Sequence, residues 1–309
     1  MNIIFLDAET VGDVDFSEIE KLGNFTKYEN TPFDEIIPRL KNAEVAIVNK
    51  TRLTLEIMEQ CPNLKLICIA ATGVNNIDLN AAQELGITVK NVKAYSTDSV
   101  VQLTYGILLS LMMHLCYFDH FVKSGEYSRS SCFTSYNHTF SELSGKQIGI
   151  IGMGNIGKTS AAVGVSFGAS IAYYSTSGEN NSAPYPRMEL NELLSTSDII
   201  LIHAPLNEKT RNLINKENLQ LMKPTALLVN TGRGPIVNET DLAEAIDTGV
   251  IAGAAVDVFS REPVPENNPL LNVKHPEKLV LTPHIAWASI EARKRLIHGI
   301  ADNIITFFK

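Results

Sequence analysis

The chain predicts an α/β protein of two doubly wound units, each with a parallel sheet, and an interdomain cleft. Three observations carry that reading. Apolar strand-like runs alternate with amphipathic helical stretches from one end to the other, the pattern of βαβ units. A glycine-rich turn follows one of those runs directly, near the middle of the chain. The length of 309 residues, 45% hydrophobic and 19% charged, fits about two ordinary globular domains.

The predicted strands are Asn2–Leu6, Val45–Val48, Leu66–Ile69, Gln147–Ile151, Ser170–Tyr174, Ile199–Ile202, Ala226–Asn230, Ala252–Asp257 and Leu279–Thr282. Each is a short β-branched or aliphatic run bounded by polar or turn residues. Leu53–Gln60, Leu190–Ser195 and Glu239–Thr248 read as amphipathic helices between them. Val100–Phe118 reads as one apolar helix, and Ser289–Phe308 as the last helix. The segment Lys123–Ser144 has no clear period and reads as a surface loop with short helical pieces. Crossings near Asp98–Ser99 and Ile285–Trp287 divide the chain into residues 1–98 plus 286–309 and residues 99–285. The glycine-rich turn falls in the second of these.

Composition narrows the function. The formal net charge of −8 argues against nucleic acid or an anionic membrane surface as partner. The N-terminal residues lack a basic start and a long apolar core, so they predict a first strand and not a signal peptide. The most apolar window, Gly106–Phe118, is interrupted by Ser110 and His114 and is too short to span a bilayer. A cytoplasmic location is expected. Cys61, Cys68, Cys116 and Cys132 show no C-x-x-C spacing and read as free thiols with structural burial. No Cys/His cluster has zinc-ligand spacing, so no metal is expected.

The stretch Ile148–Gly157 runs from a strand into G-x-G-x-x-G, and Lys158–Phe167 continues as helix. That context is the dinucleotide fingerprint. Gly152 permits a tight turn, Gly154 lets a pyrophosphate approach the backbone, and Gly157 lets the helix pack closely on the strand. The helix N-terminus faces the phosphates. With three later segments that supply what a hydride-transfer site needs, residues 99–285 are expected to bind a nicotinamide dinucleotide, NAD(H) or NADP(H).

Three later segments supply chemistry. Arg233 stands just behind a predicted strand end, where ligands bind in open α/β sheets, and a guanidinium there can grip a carboxylate with two parallel hydrogen bonds. The alternative is a surface arginine on a turn. Asp257 ends the next strand. Glu262 follows it and could orient a base, or be a solvated loop acid. His284 comes after the last strand behind Pro283, where an imidazole can exchange a proton with an alcohol or carbonyl oxygen. The alternative is a satisfied structural histidine. His203, also at a strand end, is its nearest rival and reads as structural or as cofactor lining.

Taken in order, G-x-G-x-x-G, H-x-P-L (His203–Leu206), N-x-x-R-G (Asn230–Gly234), D-V-F-x-x-E-P (Asp257–Pro263) and P-H (Pro283–His284) resemble the D-2-hydroxyacid dehydrogenases. The resemblance covers nearly the whole chain. It implies that Arg233 binds substrate, that Glu262 orients and charges the base, and that His284 is the acid/base. It implies cofactor contacts from Thr72, Thr104, Gly152, Gly154, Asn155, Ile156, Gly157, Ser175, Ala204, Pro205, Asn230, Thr231 and Asp257. The loop Ala71–Asp78 resembles the family's substrate loop, with the backbone of Gly73 and Val74 meeting the substrate carboxylate, which implies that residues 1–98 plus 286–309 are the substrate (catalytic) domain. A homodimer formed through the cofactor domain is also implied.

Two positions depart from the family pattern. Pro235 stands where a second glycine is common, which stiffens the turn and leaves Arg233 intact. Ser175 stands where a carboxylate usually binds the adenosine ribose and repels a 2′-phosphate, and no arginine occupies Thr176 or Ser177. Tyr174–Gly178, Val100–Gln102 and His284–Trp287 resemble the bacterial glycerate dehydrogenase (hydroxypyruvate reductase) branch. A bulky Trp287 next to the base suits a small 2-keto or 2-hydroxy acid. Glyoxylate reductase and D-lactate dehydrogenase are alternatives within the family. A nicotinamide-sensing, corepressor-like binding protein is the alternative from another class.

Overall fold

The computed structural model describes residues 1–179 and 184–309. The chain divides into two compact units, Met1–Ser96 with Trp287–Lys309, and Thr97–Ala286.

The first unit carries β1 (Asn2–Phe5), β2 (Asn24–Lys27), β3 (Val45–Val48), β4 (Leu66–Ile69) and β5 (Thr88–Asn91). They form a parallel sheet in the order β2-β1-β3-β4-β5. Because side chains alternate across a strand, β3 and β4 feed two cores. Val45, Ile47, Leu66 and Cys68 pack with Leu296, Ile300 and Ile304 of the C-terminal helix Ile290–Phe308. Ala46, Val48, Ile67 and Ile69 pack with Ile57, Met58, Ala81 and Ala82 on the opposite face. Burial of each such leucine or isoleucine contributes roughly 1.5–3 kcal/mol. β2 and β5 escape a reading by hydrophobic runs because both are edge strands, with partly or fully exposed residues throughout.

The second unit carries β6 (Gln147–Ile151), β7 (Ser170–Tyr174), β8 (Ile199–Ile202), β9 (Leu227–Asn230), β10 (Gly253–Val256) and β11 (Leu279–Leu281). Its parallel sheet has the order β11-β10-β9-β8-β6-β7. The direction of winding reverses between β6 and β8, so the switch point lies at their carboxyl ends. Register aligns those ends across the sheet: Tyr174 pairs with Ile151, Ile151 with Ile202, Ile202 with Asn230, Asn230 with Val256, and Val256 with Leu281.

Two expectations need correction. The apolar stretch after residue 99 is not one helix. It runs as Thr97–Met112, breaks at His114 with φ 51°, and resumes as Leu115–Lys123, with a bend of 62°. No glycine or proline marks the break, so the sequence carries no stop signal there. The four cysteines are free thiols, but only Cys61 and Cys68 are buried, while Cys116 and Cys132 are exposed. Burial pushes the Cys68 thiol up to about 12. Among the described residues, no single helix is long and apolar enough to cross a membrane.

Candidate active site

The aligned strand ends of the second unit collect most of the residues singled out above. β6 leads into the glycine turn. Gly152 has φ 98°, a conformation that favours glycine, and a Cβ there would lie 2.8 Å from the backbone nitrogen of Ala204. A Cβ on Gly157 would run into the carbonyl oxygen of Gly152, whereas one on Gly154 would meet nothing within 4 Å. The turn is closed on its inner side and open on its outer side. Gly154 caps the helix Asn155–Ser166, and both Gly154 and Asn155 are exposed while Ile156 packs partly against the core. Exposed N–H groups at a helix start, approached through a residue without a side chain, fit a pyrophosphate.

β8 ends beside this turn. Ala204 is buried and Pro205 exposed. The Nε2 of His203 lies 2.9 Å from Ser160 Oγ, and its buried Nδ1 has no partner among the described residues. Burial pulls this imidazole down to about 4, so it is neutral near pH 7. At the end of β7, Ser175 is 4% exposed.

β9 ends in a self-braced turn. The Asn230 side chain donates from Nδ2 to Arg233 O (3.1 Å) and accepts at Oδ1 from Gly232 N (3.1 Å). Thr231 Oγ1 lies 2.9 Å from Thr104 Oγ1, which also donates to Val100 O. Thr104 is fully buried, so it supports Thr231 from behind the turn. Arg233 is partly exposed, and its Nη1 donates to Gly232 O at 2.8 Å.

β10 and β11 end in a connected set. Asp257 is fully buried. Its Oδ1 accepts from Thr282 Oγ1 (2.6 Å) and Ile285 N (2.9 Å), and its Oδ2 from Ala286 N (2.9 Å). Its carbonyl accepts the His284 N–H at 2.8 Å. Burial pushes the Asp257 carboxyl above the usual carboxylate range, and the three bonds to it act in the opposite direction. One buried residue thus ties down residues 282–286, where His284 adopts φ 55°. The His284 Nδ1 lies 2.7 Å from Glu262 Oε2. A carboxylate only accepts, so Nδ1 is the donor and Nε2 is left as the other working nitrogen. Glu262 is itself held, its Oε1 accepting from Phe259 N at 3.0 Å. The two side chains are 23% and 28% exposed. This pair can move a proton at a nitrogen of defined tautomer.

In the first unit, Thr72, Gly73 and Val74 form the loop after β4. Thr72 Oγ1 donates to Val92 O (3.2 Å), and Asn76 Nδ2 to Thr51 O (2.9 Å). Asp7 braces the neighbouring loop: its buried carboxylate accepts from the N–H groups of Asn49, Lys50 and Thr51 at 2.7–2.8 Å. Sequence reasoning passed over Asp7, although an acidic residue at the end of a buried first strand is a usable signal.

The D-isomer specific 2-hydroxyacid dehydrogenase family, through its NAD binding domain, matches residues 105–286, more than half of the chain. The chain belongs to this family. It is 37% identical to a hydroxypyruvate reductase of Blautia hydrogenotrophica, over 100% of this chain and 97% of that protein. It is 34% identical to a glycerate dehydrogenase of Methylorubrum extorquens, over 99% and 95%. Among solved structures, an acyclic imino acid reductase in complex with NADPH and D-Arg superposes with a TM-score of 0.90, at 29% identity over 100% of this chain and 97% of that one. The second unit holds the residues that the family resemblance singled out as carboxylate clamp, proton donor and dinucleotide turn. Beyond these, sequence reasoning missed Ser160 and Thr282, whose roles depend on partners 43 and 25 residues away.

Proposed function

We propose that this D-2-hydroxyacid dehydrogenase reduces a small 2-keto acid, hydroxypyruvate first, with Arg233, Glu262 and His284 as its catalytic set. The observation that carries the reading is the 2.7 Å contact between His284 Nδ1 and Glu262, behind strand ends that also present Arg233 and the glycine turn. Binding alone requires neither that pair nor the arginine, which weighs against the sensor alternative. The names of the relatives support the hydroxypyruvate and glycerate assignment.

The bound nicotinamide supplies the hydride that reduces C2 of the keto acid, and accepts it in the reverse direction. Gly152–Gly157, Ser175, Ala204, Pro205 and the Asn230–Thr231 turn would hold the dinucleotide, and the open side of Gly154 fits its pyrophosphate. Arg233 would grip the substrate carboxylate and polarise the carbonyl as negative charge develops on its oxygen. Cationic His284 gives that oxygen a proton from Nε2, and neutral His284 takes it back in the oxidation direction. Glu262 fixes the tautomer through Nδ1 and stabilises the positive ring. Residues 1–98 with 286–309 keep the role of substrate domain, with Gly73 and Val74 as further carboxylate donors.

A homodimer built through the second unit is part of the same reading. It is supported by the exposed Val122 (54%), Phe133 (88%), Tyr136 (80%) and Phe140 (55%) in one stretch of that unit, the kind of side chain that interaction surfaces carry. The acidic balance of the chain, with a formal net charge of −8, is in keeping with a cytoplasmic enzyme.

The test is initial-rate oxidation of NADH and NADPH with hydroxypyruvate, glyoxylate and pyruvate, with the handedness of the product determined. The expected result is fastest turnover on hydroxypyruvate and a D-glycerate product. Faster turnover on glyoxylate or pyruvate would move the assignment to those activities. Cofactor binding with no turnover on any of the three would favour the sensor.

A further inference from the structure

The adenosine end of the dinucleotide turn holds a cation that no local sequence pattern reveals. β7 ends at Tyr174, and Ser175 begins a tight turn in which its carbonyl accepts the Gly178 N–H at 3.1 Å. Gly178 takes φ 77°. Residues 175–178 are Ser, Thr, Ser and Gly: three hydroxyls and no carboxylate. Later in the chain, a short extended segment lies against the outer edge of β7. Tyr173 N donates to Pro186 O at 3.0 Å, and Met188 N donates to Tyr173 O at 2.9 Å. This parallel bridge sets Arg187 level with Tyr173. From there the Arg187 side chain runs forward along the strand, and its Nη1 donates to Gly178 O at 3.1 Å. A permanent positive charge is therefore fixed on the turn where a dinucleotide's adenosine ribose sits in a doubly wound sheet.

We infer that Arg187 and the hydroxyl-lined turn Ser175–Gly178 form a subsite for an adenosine 2′-phosphate, so that this chain prefers NADPH to NADH. The inference rests on the dinucleotide reading of the second unit. Ser175 removes the carboxylate that would bind two ribose hydroxyls and repel the phosphate. Arg187 replaces it with a group whose planar fork matches phosphate oxygens. Glu179, exposed and next in the chain, is the acidic residue adjoining the turn and opposes the phosphate from solvent, where its effect is screened. The pairing with Tyr173 explains how an arginine outside the turn, beyond Gly178, stands where neither Thr176 nor Ser177 supplies one.

The experiment is equilibrium binding by calorimetry of NADPH, NADH, 2′,5′-ADP and 5′-AMP to the full chain and to its Arg187→Gln and Arg187→Lys variants. The expected result is NADPH binding about tenfold or more tighter than NADH, with 2′,5′-ADP likewise tighter than 5′-AMP. Arg187→Gln should lose most of that difference, chiefly through the phosphate-bearing ligands, and Arg187→Lys should keep part of it. Equal or tighter binding of NADH by the unaltered chain would overturn the inference. So would an equal loss for all four ligands in Arg187→Gln, because that marks a structural role. If none of the four binds, the dinucleotide reading itself fails, an outcome separate from NADH binding that is merely preferred.

Discussion

Arg233, Glu262 and His284, the proposed catalytic set, lie in the loops that follow β9, β10 and β11. Glu262 is bound at both oxygens, to Phe259 N and to His284 Nδ1. Glu262→Gln keeps the size of the side chain but removes the charge that faces the imidazolium. The expected outcome is a fall in kcat of about 10–100-fold with little change in KM, read by steady-state kinetics. A KM effect without a kcat effect would assign Glu262 to substrate binding. Arg233→Lys keeps a positive charge but loses the two-pronged geometry. Its KM for the keto acid should rise about tenfold or more, and an unchanged KM would remove the clamp role. The placement of all three after strand ends was legible in the sequence, because residue type and position after a strand end are both local properties. The pairing of Glu262 with His284 was not derivable from spacing, since the two are 22 residues apart and meet only through the adjacent ends of β10 and β11. Arg187 was illegible for the same reason. Its place depends on a bridge to Tyr173 made by a segment too short and polar to read as a strand.

At the scale of elements, the loop 282–286 is the part that has to be exact. His284 holds a left-handed φ of 55°, a conformation that costs a β-carbon residue about 1–3 kcal/mol. The surrounding bonds to Asp257 maintain it. Asp257→Asn preserves the shape but turns one acceptor oxygen into a donor that faces an existing N–H or O–H. We expect kcat to fall by about tenfold and the melting temperature to drop by a few degrees, as the loss of a buried charged hydrogen bond of about 1.5–3 kcal/mol requires. A lower melting temperature with full kcat would separate the loop anchor from catalysis. The elements themselves were legible where burial is continuous. β3, β4 and β8 are wholly buried, and their bounds match the apolar runs. The edge strands β2 and β5 offered no such run, and the break at His114 had no glycine or proline to announce it.

At the scale of the whole molecule, each unit has its own core, and each makes a separate stability prediction. The first unit is closed by the helix Ile290–Phe308, which returns to it after the chain has built the second. Ile300 is fully buried there. Ile300→Ala should destabilise this unit by about 2–5 kcal/mol. The single tryptophan of the chain, Trp287, packs against the same core, so its fluorescence should report an earlier denaturant midpoint. An unmoved midpoint would detach the helix from that core. In the second unit, His203 is held neutral by burial, its pKa pulled down to about 4 from the ordinary histidine value of about 6.5. Its folded-state pKa is the lower one, so the unfolded chain takes up the proton first as the pH falls. Its stabilising contribution is complete above about pH 6.5 and is lost progressively towards pH 4, amounting to a few kcal/mol at most. His203→Asn, which keeps a polar partner for Ser160, should flatten the dependence of melting temperature on pH between 6.5 and 4. An unchanged slope would place the acid sensitivity elsewhere.

The proposed acid/base role of His284 is best checked by single-turnover kinetics of His284→Ala at saturating cofactor and hydroxypyruvate. We expect a chemical step slowed by about 10²–10⁴-fold, with the cofactor Kd, measured alongside, changed by less than about twofold. A single-turnover rate equal to that of the unaltered chain would contradict it.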